Sequence, residues 1–175
     1  MKVNDIFLHC SASPWGNALV IDSWHRNRGW SGIGYHYVIL NGKPFSDMDT
    51  IDILDGQIET GRRLDDDPYF EPNEIGVHVA HYNRESVGIC LIGKKHFTPR
   101  QLCSAKDLIC DLIQRFGLGV EDVIGHYEAD EENDPPKTCP NIPMDEFRDF
   151  LNHNIEVTDL ELAIDNHIKK LYGET

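Results

Sequence analysis

This chain is short of positive charge: 16 Lys and Arg stand against 30 Asp and Glu, a formal net charge of -14 over 175 residues. Affinity for phosphate backbones and anionic membrane surfaces is built from Lys and Arg that neutralise charge. Nucleic acid is therefore not an expected partner. Long apolar runs are missing too. The opening, Met1-Lys2-Val3-Asn4-Asp5-Ile6-Phe7-Leu8, has too few apolar residues before His9 for the core of a signal peptide. No later run approaches the roughly 18 residues that cross a bilayer. The expectation is a chain made in the cytoplasm, without a signal peptide and without membrane insertion. Five cysteines is an odd number, and Cys90, Cys103 and Cys110 fall at positions that read as interior, which argues against a disulfide framework. Internal repeats, low-complexity stretches and the Cys-x-x-Cys and His-Glu-x-x-His ligand spacings are absent.

What is present supports one substantial core, since 40% of the residues are hydrophobic. Residues 5 to 10 read as a buried strand delivering His9 at its end, and residues 17 to 28, with Leu19, Ile21 and Trp24 apolar, as a helix stopped by Gly29. The aromatic and β-branched run 34 to 40 predicts a strand, Asn41-Gly42 a tight turn, and residues 56 to 63, anchored by Ile58, the partner strand. Acidic loops are expected at 46 to 55 and at 64 to 74, the second carrying Pro68 and Pro72. Residues 76 to 83 are ambiguous, and 86 to 93 read as a central strand buried on both faces. Thr98-Pro99-Arg100-Gln101 opens a helix whose face is Leu102, Ala105, Ile109, Leu112 and Phe116. A short strand over 120 to 124 then leads to His126, and 144 to 151 is a further helix. From a capping box at Thr158-Asp159-Leu160-Glu161, the positions Leu160, Ile164, Ile168 and Leu171 describe an amphipathic helix ending at Gly173. The fold class expected is α/β, a central mixed sheet flanked by helices. Residues 1–153 form the main domain and 154–175 a C-terminal helical extension that packs back on it.

Two expected strands end on a histidine, and strand ends are where α/β sites gather. Histidine and cysteine thiolate are preferred zinc ligands, and a catalytic zinc keeps three protein ligands and one open position. His9, His126 and Cys139 make such a set. Spacing alone does not single it out: one histidine is commonly a surface or hydrogen-bonded residue, and Cys139 by itself reads equally well as an inert thiol.

A longer series of motifs narrows the choice. His9-Cys10-Ser11-Ala12-Ser13, Gly34-Tyr35-His36-Tyr37, Gly61-Arg62, His78, Asn83, Ser86 to Gly93, Phe97-Thr98-Pro99-Gln101, Gly125-His126 and Lys137-Thr138-Cys139-Pro140 occur in that order. Together they resemble the zinc-dependent N-acetylmuramoyl-L-alanine amidases, the superfamily of bacteriophage lysozyme-type amidases and peptidoglycan recognition proteins. The resemblance runs from about residue 5 to 151 and leaves out the C-terminal helix. It implies an amidase-type fold, one zinc per chain held by His9, His126 and Cys139, and cleavage of the amide between N-acetylmuramic acid and the L-alanine of the peptidoglycan stem peptide. It further implies Tyr35 as the active-site tyrosine, orienting a water or assisting its deprotonation, and Lys137 as the stabiliser of the oxyanion. His78, Asn83 and Trp30 are the candidates for substrate contact. His36, facing away from Tyr35 along a strand, is expected to be structural, and His25, His81, His96, His153 and His167 to be surface or packing residues.

Two departures stand out. Ala129 to Pro135 lengthens the interval between His126 and Lys137 with acidic residues and is expected to bulge into solvent. Relatives that recycle wall fragments carry a glutamate where this chain has Cys90, and an aspartate as third ligand. The chain is thus closer to the phage type, with Glu128 a weaker candidate base than Tyr35. A module that binds peptidoglycan without cutting is the alternative, although non-cutting members typically lack the cysteine that Cys139 supplies. A cysteine hydrolase using Cys139 and His126 leaves His9 and Tyr35 unexplained. The expected partner is peptidoglycan or its muropeptides, met by a monomer after lysis or delivery, as a phage or prophage endolysin or an antibacterial effector, or as fragments inside the cell. Strong negative charge sits poorly with walls rich in anionic polymers.

Overall fold

Asp5–Cys10 forms β1, buried at every position but the first. The computed structural model describes residues 1–65, 67–129 and 137–173. β1 lies between β4 (Ser86–Leu91) and β5 (Val123–Gly125), both parallel to it. β2 (Tyr37–Asn41) runs parallel to β4 on its far side, and β3 (Asp55–Thr60) pairs antiparallel with β2 at the edge. The mixed five-stranded order is β3-β2-β4-β1-β5. Parallel neighbours need crossover connections. α1 (Ala18–Asn27) joins β1 to β2, and α2 (Pro99–Phe116) joins β4 to β5. α3 (Met144–Leu151) and α4 (Val157–Tyr172) follow.

Strand alternation divides the sheet into two faces. Ile6 and Leu8 of β1 and Val87, Ile89 and Leu91 of β4 face the larger cluster, built with α2, α3 and α4. Val38, Leu40, Cys90 and Ile92 face the smaller one, with Ile21 of α1. Helices therefore cover both faces, and β4, central in the sheet, is buried at all its positions, as its continuous apolar run predicts. α2 starts where expected. The Thr98 hydroxyl accepts from the Gln101 N–H at 3.0 Å and the Gln101 side chain accepts from the Thr98 N–H at 3.1 Å. Gln101 then donates to the carbonyls of Ile39 and Ile92, pinning the helix start to the sheet. α4 buries Leu160, Ile164 and Ile168 in the larger cluster. Each such side chain contributes about 1.5–3 kcal/mol of transfer free energy, and the helix packs against α2 and α3.

Several expectations are corrected. β2 begins at Tyr37, three residues later than the pattern from 34 suggests, because Gly34 passes under Val77, where a Cβ would come within 2.0 Å of its carbonyl oxygen. Gly42 turns the chain as expected, with φ of +80°, and the partner strand runs over Asp55–Thr60, within about three residues of the expected 56 to 63. Ile58 is 42% and Leu19 73% exposed, and neither anchors its element. β3 is an edge strand, and α1 buries Ile21 and His25, one turn apart. Only Val123 and Ile124 of the expected strand over 120 to 124 are strand, which runs on to Gly125 and is preceded by a 3-10 turn at Val120–Asp122. Cys103 is exposed and Cys110 half-buried, because the inward face of α2 is set by Leu102, Ala105, Ile109 and Leu112. Thr158 lies inside α4, whose N-cap is Glu156 with its N–H donating to the Asp159 carboxylate at 3.1 Å. Among the described residues no helix is long and apolar enough to cross a membrane.

Candidate metal centre and active site

β1 alternation puts His9 on the α1 face, paired in register with Cys90, where it is 1% exposed. Its ring is held by a second histidine. His9 Nε2 lies 3.2 Å from His78 Nδ1, and His78 Nε2 lies 3.2 Å from the Ser86 carbonyl oxygen. A carbonyl only accepts, so His78 carries its proton on Nε2 and accepts on Nδ1. His9 must then donate from Nε2, which leaves the Nδ1 lone pair free to bind. The loop bearing His78 is shaped for this. Asn83 Oδ1 accepts from the N–H groups of His78 and Val79 at 2.7 and 2.9 Å, and a Cβ at Gly88 would come within 2.7 Å of the His78 ring.

His126 follows β5 on a 3-10 turn, His126–Ala129, with its ring centroid 4.6 Å from that of His9. The turn is braced by Glu128, whose carboxylate accepts from the Gly125 N–H at 2.7 Å and from Arg148 at 2.7 Å. Glu128 is thus committed to structure and is withdrawn as a candidate base. Cys139 arrives on the loop before α3, joined by a cis bond to Pro140. Its Sγ accepts from the Cys10 N–H at 3.3 Å and its carbonyl from the Tyr127 N–H at 2.8 Å. Cys139 Sγ lies 3.8 Å from His9 Nδ1.

One ligand atom each of His9, His126 and Cys139 lies within 4.8 Å of the others. The donor set fits a metal. Zn–S and Zn–N bonds at a tetrahedral angle put sulfur and nitrogen roughly 3.6 Å apart, close to the separation of Cys139 Sγ and His9 Nδ1. Burial, reinforced by His78, His126 and Lys137, holds the His9 pKa well below its usual value, so the ring is neutral, as a ligand must be. The Cys10 thiol beside it and burial push the Cys139 thiol up. A buried thiol of this kind ionises only when a cation balances it.

Tyr35 packs against His9 with ring centroids 5.0 Å apart. Burial, then the thiols of Cys90, Cys139 and Cys10, raise its phenol well above the usual value, so it is protonated at neutral pH and can donate. Lys137 Nζ lies 3.2 Å from His126 Nε2.

The profile of the N-acetylmuramoyl-L-alanine amidase family matches residues 1–142. The chain belongs to this family. Its reaction is hydrolysis of the peptidoglycan amide, and the amidase has phage relatives. It is 31% identical to the endolysin of Escherichia phage T7 over 150 residues, covering 79% of this chain and 81% of that one. It is 29% identical to the endolysin of Klebsiella phage KP32 over 154 residues, covering 82% and 83%. Among solved structures, the amidase LysC from Clostridium intestinale superposes with a TM-score of 0.66 at 27% identity, covering 87% of each chain. Drosophila PGRP-LB superposes at 0.58 and 25% identity, covering 80% and 76%.

The fold of this amidase thus brings His9, His126 and Cys139 together, with Tyr35 and His78 beside His9 and Lys137 beside His126. The two other candidates for substrate contact, Asn83 and Trp30, make structural contacts within the chain. Asn83 is engaged in the turn that carries His78. Trp30 packs on His25 at 4.5 Å, and His25 on Tyr35 at 5.5 Å, so Trp30 stands two rings from the tyrosine. His25 is buried and accepts from the Gly34 N–H at 3.0 Å, backing the Tyr35 loop. Only its spacing of four from Ile21 hinted at this. His36 is structural as expected, accepting from the Gly88 N–H and donating to the Glu74 carbonyl, both at 2.8 Å. The sequence assigns Cys10 no role, although its N–H faces the Cys139 sulfur. Asp130 to Pro136, which carry the acidic insert after Ala129, lie outside the described residues.

Proposed function

We propose that this amidase is a zinc enzyme in which His9, through Nδ1, His126 and Cys139 hold one zinc ion, with Tyr35 and Lys137 completing the active site. The observation that carries the reading is the convergence of the three ligand atoms within 4.8 Å beside a His9 ring whose other nitrogen is occupied by His78. A zinc ion at such a site brings the pKa of a water toward about 7 and polarises the scissile carbonyl. The Tyr35 phenol, protonated, orients the attacking water by hydrogen bonding rather than removing its proton. The Lys137 ammonium, beside His126, offsets charge on the oxygen of the tetrahedral intermediate. Trp30 and His78 flank the site, His78 acting through His9.

The bond cleaved is the one between N-acetylmuramic acid and L-alanine, in a monomer that is made inside the cell and meets the wall after lysis or delivery, as an endolysin. The reading of a non-cutting recognition module is disfavoured, because Cys139 is present and seated on the site. Purified chain incubated with defined muropeptides should release stem peptides with free L-alanine N-termini. Lys137→Ala should keep its zinc and lose about 100- to 1000-fold in turnover. Muropeptides bound but uncut, or a lysine variant with near-parental turnover, would defeat the reading or the role of Lys137 respectively.

A further inference from the structure

The family profile ends at residue 142, whereas α4 spans Val157–Tyr172. The last residue of α4 nevertheless reaches the metal centre. The Tyr172 hydroxyl donates to Asn141 Oδ1 at 3.0 Å and lies 3.4 Å from Thr138 Oγ1. One phenol therefore bridges the two residues that flank Cys139-Pro140. From the other side, Asn141 Nδ2 donates to the Lys94 carbonyl at 2.8 Å and points at Cys10 Sγ, 3.7 Å away. Asn141 is 2% exposed, its backbone has φ of +64°, and its N–H donates to the Thr138 carbonyl at 2.6 Å. A side chain this buried keeps its orientation only while its polar atoms are matched. Tyr172 is itself fixed. Lys95 Nζ sits 4.2 Å from its ring centroid, and Leu160, Ile164 and Ile168 anchor the helix that carries it.

We propose that α4 is a positioning element of the metal centre, with Tyr172 holding the Thr138–Asn141 turn so that the Cys139 sulfur faces His9 and His126. The inference rests on the zinc reading above. A ligand on a loop is only as well placed as the residues that hold the loop. Beside the Tyr127 and Cys10 N–H groups that meet Cys139 itself, the turn is held by Asn141 and, through it, a helix outside the residues the family matches. Tyr172 does not touch the reacting atoms; it acts through Asn141 and Thr138.

The test uses the full chain. Tyr172→Phe removes only the hydroxyl, and Asn141→Gly removes the side chain while tolerating the positive φ. Ile168→Val thins the α4 core contact and leaves the hydroxyl in place. Zinc affinity is read by competition with a chromogenic chelator, ligand geometry by the thiolate-to-cobalt absorption of the cobalt-loaded chain, and stability by melting the metal-free chain. Tyr172→Phe should weaken zinc binding roughly 2- to 10-fold, the share expected of one hydrogen bond, and alter the cobalt band. The double variant should bind no more weakly than Asn141→Gly alone. Ile168→Val should melt lower and bind zinc as the parent does. Parental zinc affinity and cobalt band in Tyr172→Phe, or an equal affinity loss in Ile168→Val, would overturn the tether while leaving the zinc site standing. A parent chain that takes up no zinc would overturn the zinc reading and the tether with it.

Discussion

The histidine behind His9 offers the sharpest perturbation. His78→Leu roughly keeps the side-chain volume but removes both nitrogens. The His9 Nε2–H loses its acceptor in a pocket where His9 is 1% exposed, and the Ser86 carbonyl loses a donor. Two consequences separate. Leaving a buried polar group unmatched costs about 1–3 kcal/mol, so the metal-free chain should melt lower. The His9 ring is also no longer held with Nδ1 toward Cys139, and losing a partner of this kind costs about 10- to 100-fold in metal affinity. That range is about 1.4–2.7 kcal/mol of binding free energy. His78→Asn should recover most of the affinity, since the amide oxygen reaches about where Nδ1 stood. The assay is zinc competition against a chelator, paired with melting in excess chelator. A His78→Leu chain that melts lower yet binds zinc as tightly as the parent would refute the claim that His78 orients the ligand.

Two further expectations concern pH. Cys10 and burial hold the Cys139 thiol above its usual value, so zinc must displace a proton from it, whereas the depressed His9 is already neutral. Apparent zinc affinity should therefore rise about tenfold per pH unit between roughly pH 7 and 8.5, and a flat profile in competition titrations would show that the thiol is already ionised. His36 is the second. Burial lowers its pKa from 6.5 to about 4, so the unfolded chain binds the proton more readily. Its contribution is complete above the unfolded value and is lost as pH falls from there toward about 4, about 2 kcal/mol by pH 5. Denaturant melts at pH 7 and 5 should show the loss in the parent and a smaller one in His36→Asn; equal losses would exclude His36 as the source.

The ends of β1 and β5 were legible because apolar runs stop at His9 and beside His126, and α2 because its cap and face are local signals. Those signals say nothing of which strand is an edge, so Ile58 reads as an anchor although β3 lies at the sheet edge and leaves it exposed. Leu19 illustrates the same limit on a helix, where the buried turn proved to be Ile21 and His25. The resemblance brought His9, His126 and Cys139 into one set, but it cast His78 as a substrate contact. Its bond to His9 spans 69 residues of sequence, and no local pattern encodes a partner at that range. Glu128 and Tyr172 were opaque in the same way. One is claimed by Arg148, twenty residues on, and the other by Asn141, thirty-one residues back.

The central claim is that one zinc on His9, His126 and Cys139 supports amide hydrolysis. The most direct measurement is metal content and cleavage on one preparation: zinc per chain, then release of free L-alanine N-termini from peptidoglycan before chelation, after it, and after zinc is returned. The expected result is about one zinc per chain, activity lost with the metal and restored with it, and neither metal nor activity in Cys139→Ala. Cleavage that persists in the chelated chain, or a Cys139→Ala variant that retains both, would contradict it.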